Sequence, residues 1–327
     1  MPAKNCCPYV GQAIDALRRA NYKDWELLLI DDHSTDDTLG ILKKTEQIDS
    51  RIRVFENKGI GKVVGLNYGY TLSSGDFIKC IDADDILSEK FFEYIDVMHD
   101  CDALCHNSYV TTSDLRTLGS YSMDKSFFTR DFSYCLKYLK SLPRWTWSFK
   151  RHVGDKVFPM PAHLPFEDAW FSLIVKKYAK KICHVKDNLY YYRQHDNQTF
   201  GGVLNFSSNV VSFRARRMLE FMNVIMHESS GRLVSGMNNE AFFDTMRKFY
   251  SMMAQEKVRL GQIIRLDIPL EFRLKLFIYK KLSFLAPLMV RWKWSFDKRR
   301  KETIRSGHNL TLNAEADFSV YVKSEVG

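Results

Sequence analysis

The stretch Phe77-Ile78-Lys79-Cys80-Ile81-Asp82-Ala83-Asp84-Asp85 constrains this chain most, because a short apolar run ends abruptly in three carboxylates within four residues. Ser73-Ser74-Gly75 precedes it as a turn signal, and a run of this length between such signals reads as a buried strand of an open α/β sheet. In such sheets ligands bind outside the carboxyl ends of the strands. Carboxylates crowded there repel one another unless a cation sits between them, and an oxygen-rich site suits Mg²⁺ or Mn²⁺. The stretch points to a metal at a strand end, ready to receive an anionic group such as a diphosphate. The competing reading is a solvated acidic turn ahead of a helix that begins near Leu87-Ser88-Glu89.

The residues before it alternate helix and strand signals. Tyr9 to Ala20 carries Val10, Ile14 and Leu17 at helical spacing, and Trp25 to Ile30 reads as a strand ending in Asp31-Asp32. Ser34-Thr35-Asp36-Asp37 caps a helix containing Leu39, Ile41 and Leu42, and Arg51 to Phe55 is a further strand. Gly59 to Leu72 is a glycine-containing loop that passes into a helix. This rhythm predicts an α/β fold with a mostly parallel central sheet and helices on both faces. Further on, Arg144 to Phe149 suggests a pocket wall, Pro165-Phe166-Glu167-Asp168 opens a helix over Ala169 to Tyr178, and Leu189 to Arg193 reads as a late strand. From Asn205 onward the pattern is helical. An α/β unit of this kind needs a strand before its first helix, and the sequence shows none ahead of Tyr9.

At 327 residues, the chain accommodates one large domain with an extension, or two domains. Its seven cysteines have no metal-ligand spacing, which reads as reduced thiols in a cytoplasmic protein. No apolar run is long enough to span a bilayer. The net charge of +9 is concentrated late, in Lys280-Lys281, Arg291, Lys293 and Lys298-Arg299-Arg300-Lys301. Apolar residues interleaved with these favour an anionic membrane surface over nucleic acid as the partner. A solvated basic helix is the plainer alternative.

Four segments together resemble family 2 glycosyltransferases, which have the nucleotide-sugar-binding GT-A fold. Pro2-Ala3-Lys4-Asn5 followed by Tyr9 looks like the loop after the family's first strand, and Leu29 to Asp36 like its acidic second-strand motif. Ile81-Asp82-Ala83-Asp84-Asp85 looks like its metal-binding DxD region, and Glu167-Asp168 like the acidic pair that includes the catalytic base. Asn67, with Gly61 and Gly75, falls where the family has a glycine-bracketed helix. The resemblance covers roughly residues 1 to 200. It implies a GT-A catalytic domain over 1–204, with a nucleotide-sugar half to about residue 110 and an acceptor half from 111, then a helical, basic extension over 205–327.

The resemblance also implies an inverting, metal-assisted transfer from a nucleotide-diphosphate sugar, with UDP-sugar as the default donor, to a hydroxyl of a glycan or lipid-linked acceptor. Asp84 is then the metal ligand, with Mn²⁺ or Mg²⁺, and Asp82 contacts ribose or reaches the metal through water. Asp85 supports either. Asp31 and Asp32 accept hydrogen bonds from the base and ribose, while Pro2, Ala3, Asn67 and Ala83 lie along the nucleotide sugar. Arg193 and His195, in Tyr192-Arg193-Gln194-His195, face the diphosphate or the metal, with a structural histidine and an arginine paired to a structural carboxylate as the alternatives. Asp168 is the general base, with Glu167 second, although carboxylates at a helix N-terminus are stabilising by about 0.3–1 kcal/mol whatever their function. Trp145 and Trp147 offer stacking surfaces for an acceptor sugar, with core packing as the alternative.

The chain departs from the family at Lys4, where an aromatic is common, and in the apolar strand that the family has before the residues matching Pro2. This second departure leads to the expectation that the natural start lies upstream of Met1. In the last segment, Arg214 to Met226 and Glu240 to Met253 read as amphipathic helices docked on the catalytic domain. Phe272 to Arg300, with Pro287, Trp292 and Trp294, suits a helix in a membrane interface, which would make a cytoplasmic protein peripheral on the inner face of the cytoplasmic membrane, with packing on the protein's own core as the competing reading. Three other functions compete with transfer. In a phospho-aspartate receiver, Asp82 is the phosphorylated residue. In a phosphatase of the haloacid dehalogenase type, Asp82 is the nucleophile and Asp84 the acid. The third is a glycan-binding relative without turnover.

Overall fold

The computed structural model describes residues 1–195, 206–228, 230–234, 239–286, 288 and 318–323. The basic run 298–301, Pro287, Trp292 and Trp294 lie outside these residues. Two hydrogen-bonded sheets form the centre. The first holds β1 (Pro2–Ala3), β2 (Leu27–Asp31) and β3 (Ile52–Glu56), all parallel. A strand does therefore precede the first helix, but it is two residues long, below the length at which periodicity can signal one. Pro2 pairs with Ile30 and Ala3 with Asp31.

The second sheet runs β10 (Phe318–Val322), β9 (Lys181–Arg193), β6 (Ala103–Thr111), β8 (Trp147–Lys150), β4 (Phe77–Lys79). Two further strands join it, β5 (Ile86–Leu87) on β9 and β7 (Thr117–Tyr121) on β6. Here β6 and β9 are parallel, whereas β4 with β8, β6 with β8, β6 with β7, β5 with β9 and β10 with β9 are antiparallel. The expectation of a mostly parallel sheet holds for β1–β3 and fails for most pairings of the second sheet. Strand direction is set by the path of each connection, which the period-2 pattern of a single strand does not encode. A cavity of about 580 Å³ lies between the sheets, lined by Leu27 and Leu28 from one and Phe77, Ile78 and Lys79 from the other.

The helices in chain order are α1 (Cys7–Arg19), α2 (Thr38–Ile48), α3 (Lys62–Leu72), α4 (Ile95–His99), α5 (Lys125–Thr129), α6 (Phe132–Lys137), α7 (Arg151–Val157) and α8 (Glu167–Tyr178). After them come α9 (Ser208–His227), α10 (Asn239–Ala254), α11 (Leu260–Arg265) and α12 (Leu270–Lys281). α1 buries Val10, Ala13, Ile14 and Leu17, the 3–4 spacing that one helical face requires. On β6, Leu104 points into one core with α1 and β2, while Ala103 and Cys105 point into the other with α3 and α8. Alternation across the pleat is what lets one strand serve both cores.

Helices α9, α10 and α12 contribute Phe221, Met222, Phe243 and Leu276 to the same core as α8, so this part of the C-terminal segment is packed onto the body that the sheets form. It is also not wholly helical, since β10 returns to pair with β9 through Phe318–Val185 and Val322–Lys181. Phe272 and Leu276 are buried in that core, which corrects their expected place at a membrane interface. No helix among the described residues is long and apolar enough to cross a membrane.

Candidate active site

β4 ends at Lys79, and Asp82 to Asp85 occupy the turn between β4 and β5, closed by the Asp85 N–H on the Asp82 carbonyl at 3.3 Å. The helix expected near Leu87-Ser88-Glu89 is a 3-10 helix, Glu89–Tyr94, with Ser88 as its N-cap. The acidic turn is held from outside. The Asp82 N–H donates to the Tyr190 hydroxyl at 3.1 Å, and the Arg193 N–H donates to Asp85 Oδ1 at 2.7 Å. Asp85 is buried beside Asp84 and Asp82, so its carboxyl is pushed well above the usual range, first by loss of water and then by its acidic neighbours.

Asp82 is the hub of the cluster. It accepts a hydrogen bond from Arg144 Nη2 and forms an ion pair with Lys62 at 3.0 Å. Burial alone would raise its pKa; the two cations reverse that and hold it well below the carboxylate range. The same Lys62 ammonium lies 3.1 Å from Glu167 Oε1. Glu167 and Asp168 form the first turn of α8, and the Arg144 N–H donates to Asp168 Oδ1 at 2.9 Å. The two neighbouring carboxyls thus separate. Glu167 is held low, Lys62 and Arg144 outweighing its burial, while Asp168 is raised to about 7 by burial and by the Glu167 charge. A carboxylate whose proton affinity sits near neutrality suits general base work.

Arg144 is fully buried in a single 3-10 turn, Arg144–Thr146. Behind it, Lys79 Nζ bonds the Trp145 carbonyl and lies 2.7 Å from His106 Nε2. Burial pushes the Lys79 ammonium and the His106 imidazolium well below their ordinary pKa values. Trp147 is wholly buried in the core, which removes it as a stacking surface. Trp145 is half-buried and stacks on Tyr192 with ring centroids 4.2 Å apart.

The other expected residues are distributed around this cluster. His195 Nε2 lies 3.0 Å from Asp84 Oδ2, with its ring stacked on Tyr9 at 5.0 Å. Arg193 is a buried anchor, donating to the Ser113 carbonyl and to Gln12 Oε1, both at 2.9 Å. Asp31 and Asp32 are buried at the carboxyl end of β2. Asp31 Oδ2 takes the Ser34 N–H at 3.1 Å. Asp32 Oδ1 takes Asn57 Nδ2 at 2.7 Å and the Gly61 N–H at 2.8 Å, and Lys4 Nζ stands 3.3 Å from Oδ2. Pro2, Ala3 and Ala83 are buried. Asn67 stands apart, with both ends of its amide used by the Met160 backbone at 2.7 and 2.8 Å.

Sequence reasoning missed Lys62, Arg144 and Lys79. Lys62 follows the glycine bracket Gly59-Ile60-Gly61 and Arg144 precedes Trp145, but no spacing rule ties residues 62, 82, 144 and 167 together. For a divalent cation, the fitting donors are Asp84 and His195. They already meet, Asp84 is one-third exposed, and a carboxylate with an imidazole suits Mn²⁺ better than Mg²⁺. Asp82 is engaged by its two cations instead. Among the described residues no group of three or more His, Cys, Asp or Glu side chains is disposed to hold a metal without further ligands.

Residues 1–141 match the family model described as glycosyl transferase family 2. Glycosyltransferase GlyG of Streptococcus pneumoniae is 26% identical over 211 residues, 59% of this chain and 69% of that protein. The glycosyltransferase EpsJ of Bacillus subtilis is 25% identical over 209 residues, 60% of each. A glycosyltransferase of Haemophilus influenzae is 34% identical over 94 residues, 28% of this chain and 29% of that protein. The matches thus span between 29% and 69% of these relatives' length. Among solved structures, residues 1–349 of Staphylococcus aureus TarS, in complex with UDP-GlcNAc, align with a TM-score of 0.52 at 16% identity, covering 99% of this chain and 96% of that one. At that identity the likeness speaks for the GT-A fold.

Proposed function

We propose that this chain, whose residues 1–141 match the model of glycosyl transferase family 2, works as a member of that family and moves a sugar from a nucleotide-diphosphate donor to an acceptor hydroxyl with inversion at the anomeric carbon. One observation carries the reading. The acidic turn at Asp82–Asp85 and the acid pair Glu167–Asp168 converge on the same two residues, Lys62 through its ammonium and Arg144 through its guanidinium on Asp82 and its backbone N–H on Asp168. Donor and acceptor chemistry then meet within one cluster. Asp168 takes the acceptor proton, Glu167 remains ionised on Lys62, and Arg144 orients both Asp82 and Asp168. Asp31 and Asp32 lie at the carboxyl end of β2, where a nucleotide is received. When bound at Asp84 and His195, a divalent cation supplies Lewis-acid neutralisation of the diphosphate. The receiver and dehalogenase readings need Asp82 as a free nucleophile, and its pairing with Arg144 and Lys62 speaks against both.

UDP is the donor nucleotide to try first, since the TarS structure of similar fold holds UDP-GlcNAc. Calorimetric titration of UDP with and without Mn²⁺ is expected to give metal-dependent binding that is lost in Asp84→Ala. Tight binding of UDP that ignores both the metal and this substitution would remove the metal role. Failure of UDP together with binding of GDP or dTDP would replace the nucleotide.

We also propose that the α11–α12 region meets an anionic membrane surface carrying the acceptor. Support comes from Ile264, Leu270, Leu274 and Phe284, each more than half exposed, interleaved with Arg265, Arg273, Lys275 and Lys281. The chain is expected to float with liposomes containing anionic lipid, and to stop doing so in Leu270→Glu/Leu274→Glu. An intact chain that stays in the soluble fraction refutes the membrane role.

A further inference from the structure

Lys62 is the one side chain among the described residues whose cation pairs with both acidic motifs, at 3.0 Å from Asp82 and 3.1 Å from Glu167. Its position is set by the backbone. Gly61 adopts φ of 101°, a conformation open to glycine, and its N–H is held by Asp32. Lys62 then begins α3, whose N-terminal end has no side-chain cap and carries the positive end of the helix dipole. The ammonium is thus linked through one residue to the carboxylate expected to receive the nucleotide, and reaches from there to the acid pair.

Asp82 has two cations for one carboxylate. Arg144 is fully buried and fixed, and it suffices to balance Asp82 alone. Lys62 is 42% exposed and on a flexible stem, so it is the cation able to leave. We propose that Lys62 is a catalytic residue that swings from Asp82 and Glu167 onto the leaving diphosphate as the sugar is transferred, an inference that rests on the glycosyl-transfer reading above. In that step the bond between the anomeric carbon and the diphosphate oxygen breaks, and its electron pair stays on that oxygen. The acceptor oxygen bonds to the anomeric carbon, and its proton passes to Asp168. Lys62 keeps its own proton and donates a hydrogen bond to the phosphate oxygen on which charge grows. A charged donor is most effective when it meets the atom on which charge develops. The arrangement places a positive charge at the leaving group that is independent of any metal that Asp84 and His195 would hold.

The test compares wild type, Lys62→Met and Lys62→Arg by their affinities for UDP and UMP, and for GDP and GMP, at fixed Mn²⁺. Wild type is expected to prefer the diphosphate. Lys62→Met should lose about tenfold of that preference while holding the monophosphate unchanged, with transfer slowed by about 10²-fold. Lys62→Arg should keep most of the preference. Unchanged monophosphate binding also establishes that the site is folded in the variant. A Lys62→Met protein with the wild-type diphosphate-to-monophosphate ratio overturns the inference and leaves the transfer reading standing. Equal loss of both nucleotides assigns Lys62 a structural role and also overturns it. A wild type that binds neither pair overturns the reading and the inference together.

Discussion

Replacing Asp168 by asparagine is expected to slow sugar transfer by about 10²–10⁴-fold with little change in donor affinity, the range that a positioned general base typically contributes. Asparagine keeps the shape of the side chain and its acceptor oxygen for the Arg144 N–H, but cannot take a proton. The wild type should show a second signature. Asp168 must be ionised to act, and burial next to Glu167 raises its pKa to about 7, so kcat/KM should climb about tenfold per pH unit below 7 and level off above it. That limb should vanish in Asp168→Asn. Stability runs the other way. The folded protein binds this proton more tightly than the unfolded chain does, so the contribution is greatest below about pH 4 and declines as pH rises towards 7. The asparagine variant escapes that decline and should melt no lower than wild type at pH 8, which separates lost chemistry from lost folding. A variant retaining more than about a tenth of wild-type transfer would move the base role to Glu167.

Asp82→Asn is expected to be the most destabilising single substitution in the site. It leaves Arg144, fully buried, without the carboxylate that its guanidinium bonds, and breaking a buried pair from one side costs about 3–5 kcal/mol. The lower end of that range applies here, because Glu167 and Asp168 remain close enough to act on Arg144. Against a typical domain stability of about 5–15 kcal/mol, such a loss is readily seen in urea unfolding. Adding Arg144→Met should recover part of it, because the double variant removes both the stranded charge and its need for a partner. A loss below about 1 kcal/mol in Asp82→Asn would mean that water reaches Arg144. The pair would then be worth no more than a surface ion pair.

Much of the first half was legible because its signals are local. The spacing of Val10, Ile14 and Leu17 marked α1, and Glu167-Asp168 marked the start of α8, with boundaries within a few residues of those observed. The acidic turn was legible for the same reason, since three carboxylates after an apolar strand are informative wherever the strand ends up. His195 could be put near Asp84 only through the family resemblance, and the two meet at 3.0 Å. β1 escaped notice because two residues carry no period. β10 escaped because its partner strand lies more than a hundred residues earlier in the chain. The pattern of Phe272 and Leu276 left membrane interface and core packing both open, because an apolar helical stripe looks the same whether it meets lipid or protein.

The sequence by itself determined where α1, β2, α2, β3, α3, β4 and α8 form, which motifs are acidic, and that those motifs stand at strand ends and a helix start. Each of these depends on neighbours within a turn or two of chain. Only the tertiary structure decided which cation faces which carboxylate. Asp82 is 62 residues from Arg144, and the charges of Lys62 and Arg144 are what separate the proton affinities of two adjacent acids, Glu167 and Asp168. Two consecutive carboxylates are chemically alike in sequence. They become an ionised partner and a proton acceptor because electrostatic energy depends on distance and burial, and both are properties of the folded chain alone.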